Sequence, residues 1–384
     1  MVGRLTPMLL AVFVLLSKPA FADGPSEKLV HVTLASDEST SPPQILSGRV
    51  VLTSQDGGVL LEERNGTLHN LTPPRFSNIE TSKEEFRYLT IDELSAQLIE
   101  RFSSAFGIHQ SPHFVICSAG SDAFTEHCGQ LLEKVYSEFF EFFDESGVTI
   151  HNPDAPLVVV IFGQAAQLRH YAAQQHPETK FEDVPGYYTT RYNQMYVSDV
   201  ASGATSNRRD LLKLLRQKPR HTETVVHEAV HLLAYNSGLH VRFADNPLWF
   251  TEGLATYFEP SSRRARLLWN GPGRPNGMYL SQLKQNRRSR TLALPLAKLL
   301  ADNQPFQQAD TVAAAYASSW GLMYHLIRKE RDVFNGLATS LQKREPLREF
   351  SAGDELKIIT AISEVPLPQL ETQAASTVRR LRAR

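Results

Sequence analysis

The sequence predicts an α+β protein in which a small β-meander precedes a mixed core and a mainly helical end. Three observations carry this. Short alternating apolar runs broken by Asp56-Gly57-Gly58 and Asn65-Gly66 read as hairpins. Residues 157–162 (LVVVIF) form a continuous apolar run of the kind found in a strand buried on both faces. Residues 122–146 and most of the chain after 291 show helical spacing of apolar positions. At 384 residues, 42% of them hydrophobic, the chain can bury a large core. Its net charge of −1 gives no reason to expect nucleic acid as a partner.

Taken in order, Arg4, the apolar run at residues 8–16 and Ala20-Phe21-Ala22 spell a secretory signal peptide over residues 1–22, with cleavage after Ala22. Nine apolar residues fall short of the about 20 needed to span a membrane, so the mature protein is expected to be secreted or periplasmic, with no transmembrane segment. Residues 23–80 are expected to form the β module, with three strands between residues 47 and 73. Residues 81–260 form the expected core, and residues 261–384 a helical part that completes the cleft. Within the core, Thr90 and Glu93 make a capping box that opens a helix ending at Gly107. A strand is expected at 113–120, a helix at 122–146, the LVVVIF strand, and a further helix at 164–175. Residues 186–199 then form a hairpin or edge strand, along which an extended peptide could pair beside Asn193 to Val197. A basic helix or linker at 208–217 closes at Pro219. Cys117 and Cys128 are either a disulfide or two separately buried thiols.

The chemistry is concentrated in residues 222–259. His227 and His231 are four apart on one helix, so both rings reach the same point, and Glu228 adjoins the first. The helix is expected from Thr222 to Gly238, which can adopt a left-handed cap. A second helix, capped by Asn246 with Pro247 in its first turn, carries Glu252. Twenty residues separate His231 from Glu252, enough for the second helix to fold back on the first. Two imidazoles and a carboxylate form a three-ligand set for one Zn²⁺ that leaves a fourth position open, as a hydrolytic site requires. Glu259 is the alternative carboxylate and His240 an alternative nitrogen donor. Gly253, costly in a helix, suggests a close helix crossing.

HEAVH followed by NPLWFTEGLATYFE resembles the gluzincin (peptidase MA-like) zinc metallopeptidases. The segment WFTEGLATY is similar to the corresponding helix of aminopeptidase N-like enzymes, and the whole stretch is closer to exported bacterial peptidase-MA-like proteins of unassigned function. The resemblance implies a zincin-like (thermolysin/aminopeptidase N-like) catalytic domain. It makes His227, His231 and Glu252 zinc ligands, Glu228 the general base and a tyrosine on a later helix, here Tyr316, the oxyanion donor, acting on a peptide or protein substrate. Two places depart from the family. Thr256 stands where thermolysin-like members carry the aspartate that orients a histidine. Tyr192 to Tyr196 lack the glutamate with which aminopeptidase N-like enzymes bind a free amine, which favours an endopeptidase or an unconventional substrate. The other expectations are a cell-envelope binding protein that keeps fold and metal without hydrolysis, and a hydrolase of a non-peptide substrate.

Overall fold

The computed structural model describes residues 27–35, 44–177, 185–201, 207–285, 291–351 and 353–382. The signal-peptide segment lies outside the described residues. The chain first builds an antiparallel sheet from β1 (Lys28–Leu34), β2 (Ile45–Thr53), β3 (Val59–Glu63), β4 (Leu68–Leu71) and β5 (Phe76–Glu85), in the order β4-β3-β2-β1-β5. The three strands expected between residues 47 and 73 are β2 to β4, and β5 carries the sheet past residue 80. Gly57 and Gly66 take positive φ at the two hairpin turns. Alternation along β3 sends Val59 and Leu61 to one face, with Val30, Val32, Leu46 and Leu71. Leu60 goes to the other, where Leu52 and Leu68 pack against Phe243 and Leu347.

The core follows. Thr90 caps α1 (Ile91–Phe102) with the reciprocal bonds of a capping box to Glu93. The helix stops at Ser103 rather than Gly107, because Gly107 opens β6 (Gly107–Gln110). Next come β7 (Phe114–Ser118), α2 (Asp122–Ser146), β8 (Leu157–Phe162), α3 (Ala165–Gln175), β9 (Gly186–Thr189) and β10 (Gln194–Ser198). The second sheet has the order β6-β7-β8-β10-β9, with β7, β8 and β10 parallel and the two outer strands antiparallel. Residues 194–198 are therefore an interior strand, paired on both sides, and no peptide can pair beside Asn193 to Val197. The edge belongs to β9. Cys117 packs with Val115, Val158 and Val160 on one face of the sheet, and Cys128 lies on α2 in the core of the other. The sheet separates two buried free thiols, which excludes the disulfide.

Helices α4 (Arg208–Gln217) and α5 (Pro219–Asn236) follow, and Pro219 occupies the first turn of α5 rather than ending α4. Then come α6 (Leu248–Phe258), α7 (Gly277–Gln285), α8 (Leu296–Leu299), α9 (Val312–Lys329), α10 (Arg331–Gln342), α11 (Asp354–Ser363) and α12 (Leu367–Arg379). Among the described residues no helix is long and apolar enough to cross a membrane. Gly253 does mark a close crossing, but with α9. A Cβ there would stand 3.1 Å from the Ser319 carbonyl oxygen and 3.3 Å from Met323. Gly238 ends the turn after α5 at φ 74°, and a Cβ there would stand 2.6 Å from the His151 ring. Gly238→Ala is therefore expected to cost more than about 1 kcal/mol, read as a lower urea midpoint with unchanged slope.

Candidate metal centre

Most of α5 is buried among α2, the second sheet and α6, so polar groups on its inner faces need partners. The 3.6-residue period stacks His227 and His231 one turn apart, and their Nε2 atoms approach to 3.1 Å. Helix α6 folds back on α5 and brings in Glu252. Its Oε2 lies 3.1 Å from His227 Nε2 and its Oε1 3.4 Å from His231 Nε2. One donor atom from each of the three residues lies within 4.8 Å of the others, and among the described residues no other His, Cys, Asp or Glu set of three or more converges this way.

The spacing tests whether a metal fits. Ligands at ~2.0–2.1 Å in a tetrahedron sit about 3.3–3.4 Å from one another. His227 Nε2 stands 3.1 Å from both His231 Nε2 and Glu252 Oε2, near that spacing, and the other Glu252 oxygen lies 3.4 Å from His231 Nε2. The tautomer fits as well. His227 Nδ1 lies 2.7 Å from Glu259 Oε2, and an ionised carboxylate only accepts, so Nδ1 carries a proton and Nε2 is the nitrogen left to meet a metal. Asn276 Nδ2 donates to the other Glu259 oxygen at 2.8 Å. Glu259 therefore lies behind His227 and outside the donor set, the usual place for the carboxylate that orients a ligating histidine. It supplies what Thr256 cannot, since the Thr256 hydroxyl is bonded back to Gly253 O. The signal was present in the sequence, because seven residues from Glu252 is two helical turns on the same face.

Glu228 points at the sheet edge. The pairing of β9 with β10 turns the Tyr188 N–H outward, where it donates to Glu228 Oε2 at 2.9 Å. Burial raises the Glu228 carboxyl above its ordinary range, against the pull of His227 and His231. Burial opposes charge on His227 too, but hydrogen bonds to Glu252 and Glu259 outweigh it and raise the ring well above the usual imidazole range. Glu252 is also penalised by burial, yet His231 and His227 bring it below the usual carboxylate range. Burial pushes Glu259 up while His227 pulls it down.

Tyr316, on α9, is buried facing Glu252; burial and the charge of Glu252 hold its hydroxyl well above the usual phenol range. Tyr279 stacks on it at 6.5 Å, the rings 14° from parallel. His240 is not among the donors. It sits edge-on between Tyr235 and Phe250, and burial pushes it down to about 3. Sequence reasoning placed His227, Glu228, His231 and Glu252 together, and the fold brings them together. It missed Glu259 as the orienting group and the Tyr188 amide, which no side-chain pattern announces.

Residues 221–348 match one family model. Its description is "Protein of unknown function (DUF1570)". The DUF1570 segment begins inside α5 and runs past α10, so it holds all three converging donors, Glu228, Glu259 and Tyr316 but neither sheet. No curated protein matches the chain.

Proposed function

We propose that this chain is an exported zinc-dependent hydrolase of gluzincin type and zincin-like fold, most readily a peptidase. The observation that carries the reading is the convergence of His227, His231 and Glu252 on one point, one donor atom from each lying within 4.8 Å of the others, with Glu228 buried beside them on the same helix as the histidines. Two nitrogens and one carboxylate, with no thiolate among them, suit zinc with an open fourth position.

When bound, the ion would polarise a substrate carbonyl and bring the pKa of its water towards ~7. The other roles belong to the chain. Glu228, raised by burial, is suited to take a proton from the attacking water and return it to the leaving amine. The Tyr188 N–H occupies one oxygen of that carboxylate and fixes its orientation. Glu259 holds the His227 tautomer. Tyr316, which faces Glu252, is the donor offered to the developing oxyanion. The test is zinc analysis of the purified protein with a broad peptide-library digest, run beside Glu228→Gln. Stoichiometric zinc with Glu228-dependent cleavage is the expected result. Zinc without cleavage would favour the binding protein, and a chain that takes up no zinc would remove the metal reading.

Two further outcomes are expected. Tyr316→Phe should retain zinc and lower kcat by about 10²–10³-fold, the cost of one oxyanion donor. Zinc binding should release protons, because Glu252 and Glu259 favour the charged form of His227 and a metal ligand must give up its proton. Titration calorimetry in buffers of different ionisation enthalpy measures it. The signs follow from the shifts. The raised His227 stabilises the metal-free fold below its unfolded value of ~6.5 and loses that contribution as pH rises through the folded value. The depressed Glu252 contributes above ~4.3 and loses it as pH falls through its folded value. Zinc affinity should therefore increase with pH across neutrality.

A further inference from the structure

The N-terminal sheet lies outside residues 221–348 and supplies none of the converging donors, yet it grips both elements that set the site. Its hold on the loop joining α5 to α6 runs through two adjacent residues. Arg242 donates through one terminal nitrogen to Gly66 O (2.6 Å) in the β3–β4 turn and to Thr190 O (3.3 Å) in the β9–β10 turn. Through the other it donates to Glu62 Oε1 on β3 at 2.6 Å. This ion pair is buried, its side chains 10% and 6% exposed. The second Glu62 oxygen accepts from Arg49 Nε at 2.9 Å, so neither oxygen is left unpaired. Phe243, next along, takes φ 61° and packs on Leu52, Leu60 and Leu68. A phenylalanine in that conformation is costly and persists where packing over-determines it.

The hold on the hairpin is made by main chain. The Leu68 N–H donates to Arg191 O at 2.8 Å. Gly66, at φ 84°, brings its turn against Asn193, from which a Cβ would be 3.5 Å away. Asn193 sits at φ 53° and exchanges reciprocal 2.8 Å amide bonds with Asn236 at the end of α5, while the Tyr188 hydroxyl donates to Asn193 Oδ1 at 2.9 Å. A four-residue edge strand with a single partner is prone to fray, and β9 is that strand. Its Tyr188 N–H is the group that holds Glu228.

We propose that the N-terminal sheet is a clamp that positions the general base: Arg242, tied to Glu62, Gly66 and Thr190, pins the β9–β10 hairpin so that Tyr188 keeps Glu228 oriented. Arg242 is a positioning residue, and this role rests on reading Glu228 as the base. The clamp holds the strand and the interhelical loop, not the ligands, so its loss should separate zinc binding from turnover.

Full-length Arg242→Met and the near-isosteric Glu62→Gln test it. Hydrogen exchange at residues 186–190 should quicken by about tenfold or more in Arg242→Met, since local opening tracks the contacts that close a segment. Exchange at residues 225–233 and zinc content should be unchanged. On a peptide that the wild type cleaves, kcat should fall while KM stays, and Arg242→Lys should restore part of it by re-forming the Glu62 pair. Should Arg242→Met fail to fold, Glu62→Gln carries the same readouts. Unchanged exchange at residues 186–190 in a folded variant would overturn the clamp, as would parallel loss of zinc. If the wild type cleaves nothing, the peptidase reading fails while the exchange experiment still decides the clamp.

Discussion

Glu228→Gln should leave zinc bound and abolish the hydrolysis of any peptide the wild-type protein cleaves, a loss of at least about 10²–10⁴-fold. The substitution keeps the shape of the side chain and an oxygen that can accept the Tyr188 N–H, so β9 keeps its anchor on α5. What disappears is the ability to take up and return a proton. Glu228 also lies outside the converging donor group, so zinc content should match the wild type. Metal analysis and peptide digestion on one preparation check both halves. Cleavage that survives Glu228→Gln would mean that another group, or none in this site, acts as base.

Glu252→Ala should lose zinc, and should lose far more of it than Glu259→Ala. Both glutamates touch His227, but at opposite nitrogens. Glu252 faces Nε2, where the donors converge, and Glu259 takes the Nδ1 proton. Removing Glu252 leaves two nitrogens to hold the ion. Removing Glu259 leaves all three donors and frees only the ring that it orients, a loss of about 10–100-fold for an outer partner. Competition against a chelator of graded affinity measures both. Equal losses would make Glu259 a ligand and overturn the assignment.

Much of this was legible because it is local. The α2 boundaries follow from the apolar stripe between Ser121 and Gly147, and β8 from six apolar residues in a row. The Thr90–Glu93 box fixed one helix start to the residue. The misread points are those where one residue type serves two purposes. A proline can end or begin a helix, and Pro219 begins α5; a glycine can stop a helix or open a strand, and Gly107 opens β6; Asn246 ties the loop to Val241 O while Pro247 stands at the cap of α6. Strand β5 is mostly exposed, without a buried face to announce it.

By itself the sequence determined the helix that presents His227, Glu228 and His231, because four residues along an α-helix return to the same side whatever surrounds them. It also determined that Glu252 and Glu259 share a face of α6. It could not decide which of the two meets the imidazole nitrogens and which stands behind them. That depends on where α6 crosses α5, which is set by Gly253 packing against α9 and by the loop that Arg242 and Phe243 fasten to the first sheet. Nor could it show that a backbone N–H from an edge strand holds Glu228, since main-chain groups leave no mark in a sequence and meet only through tertiary packing.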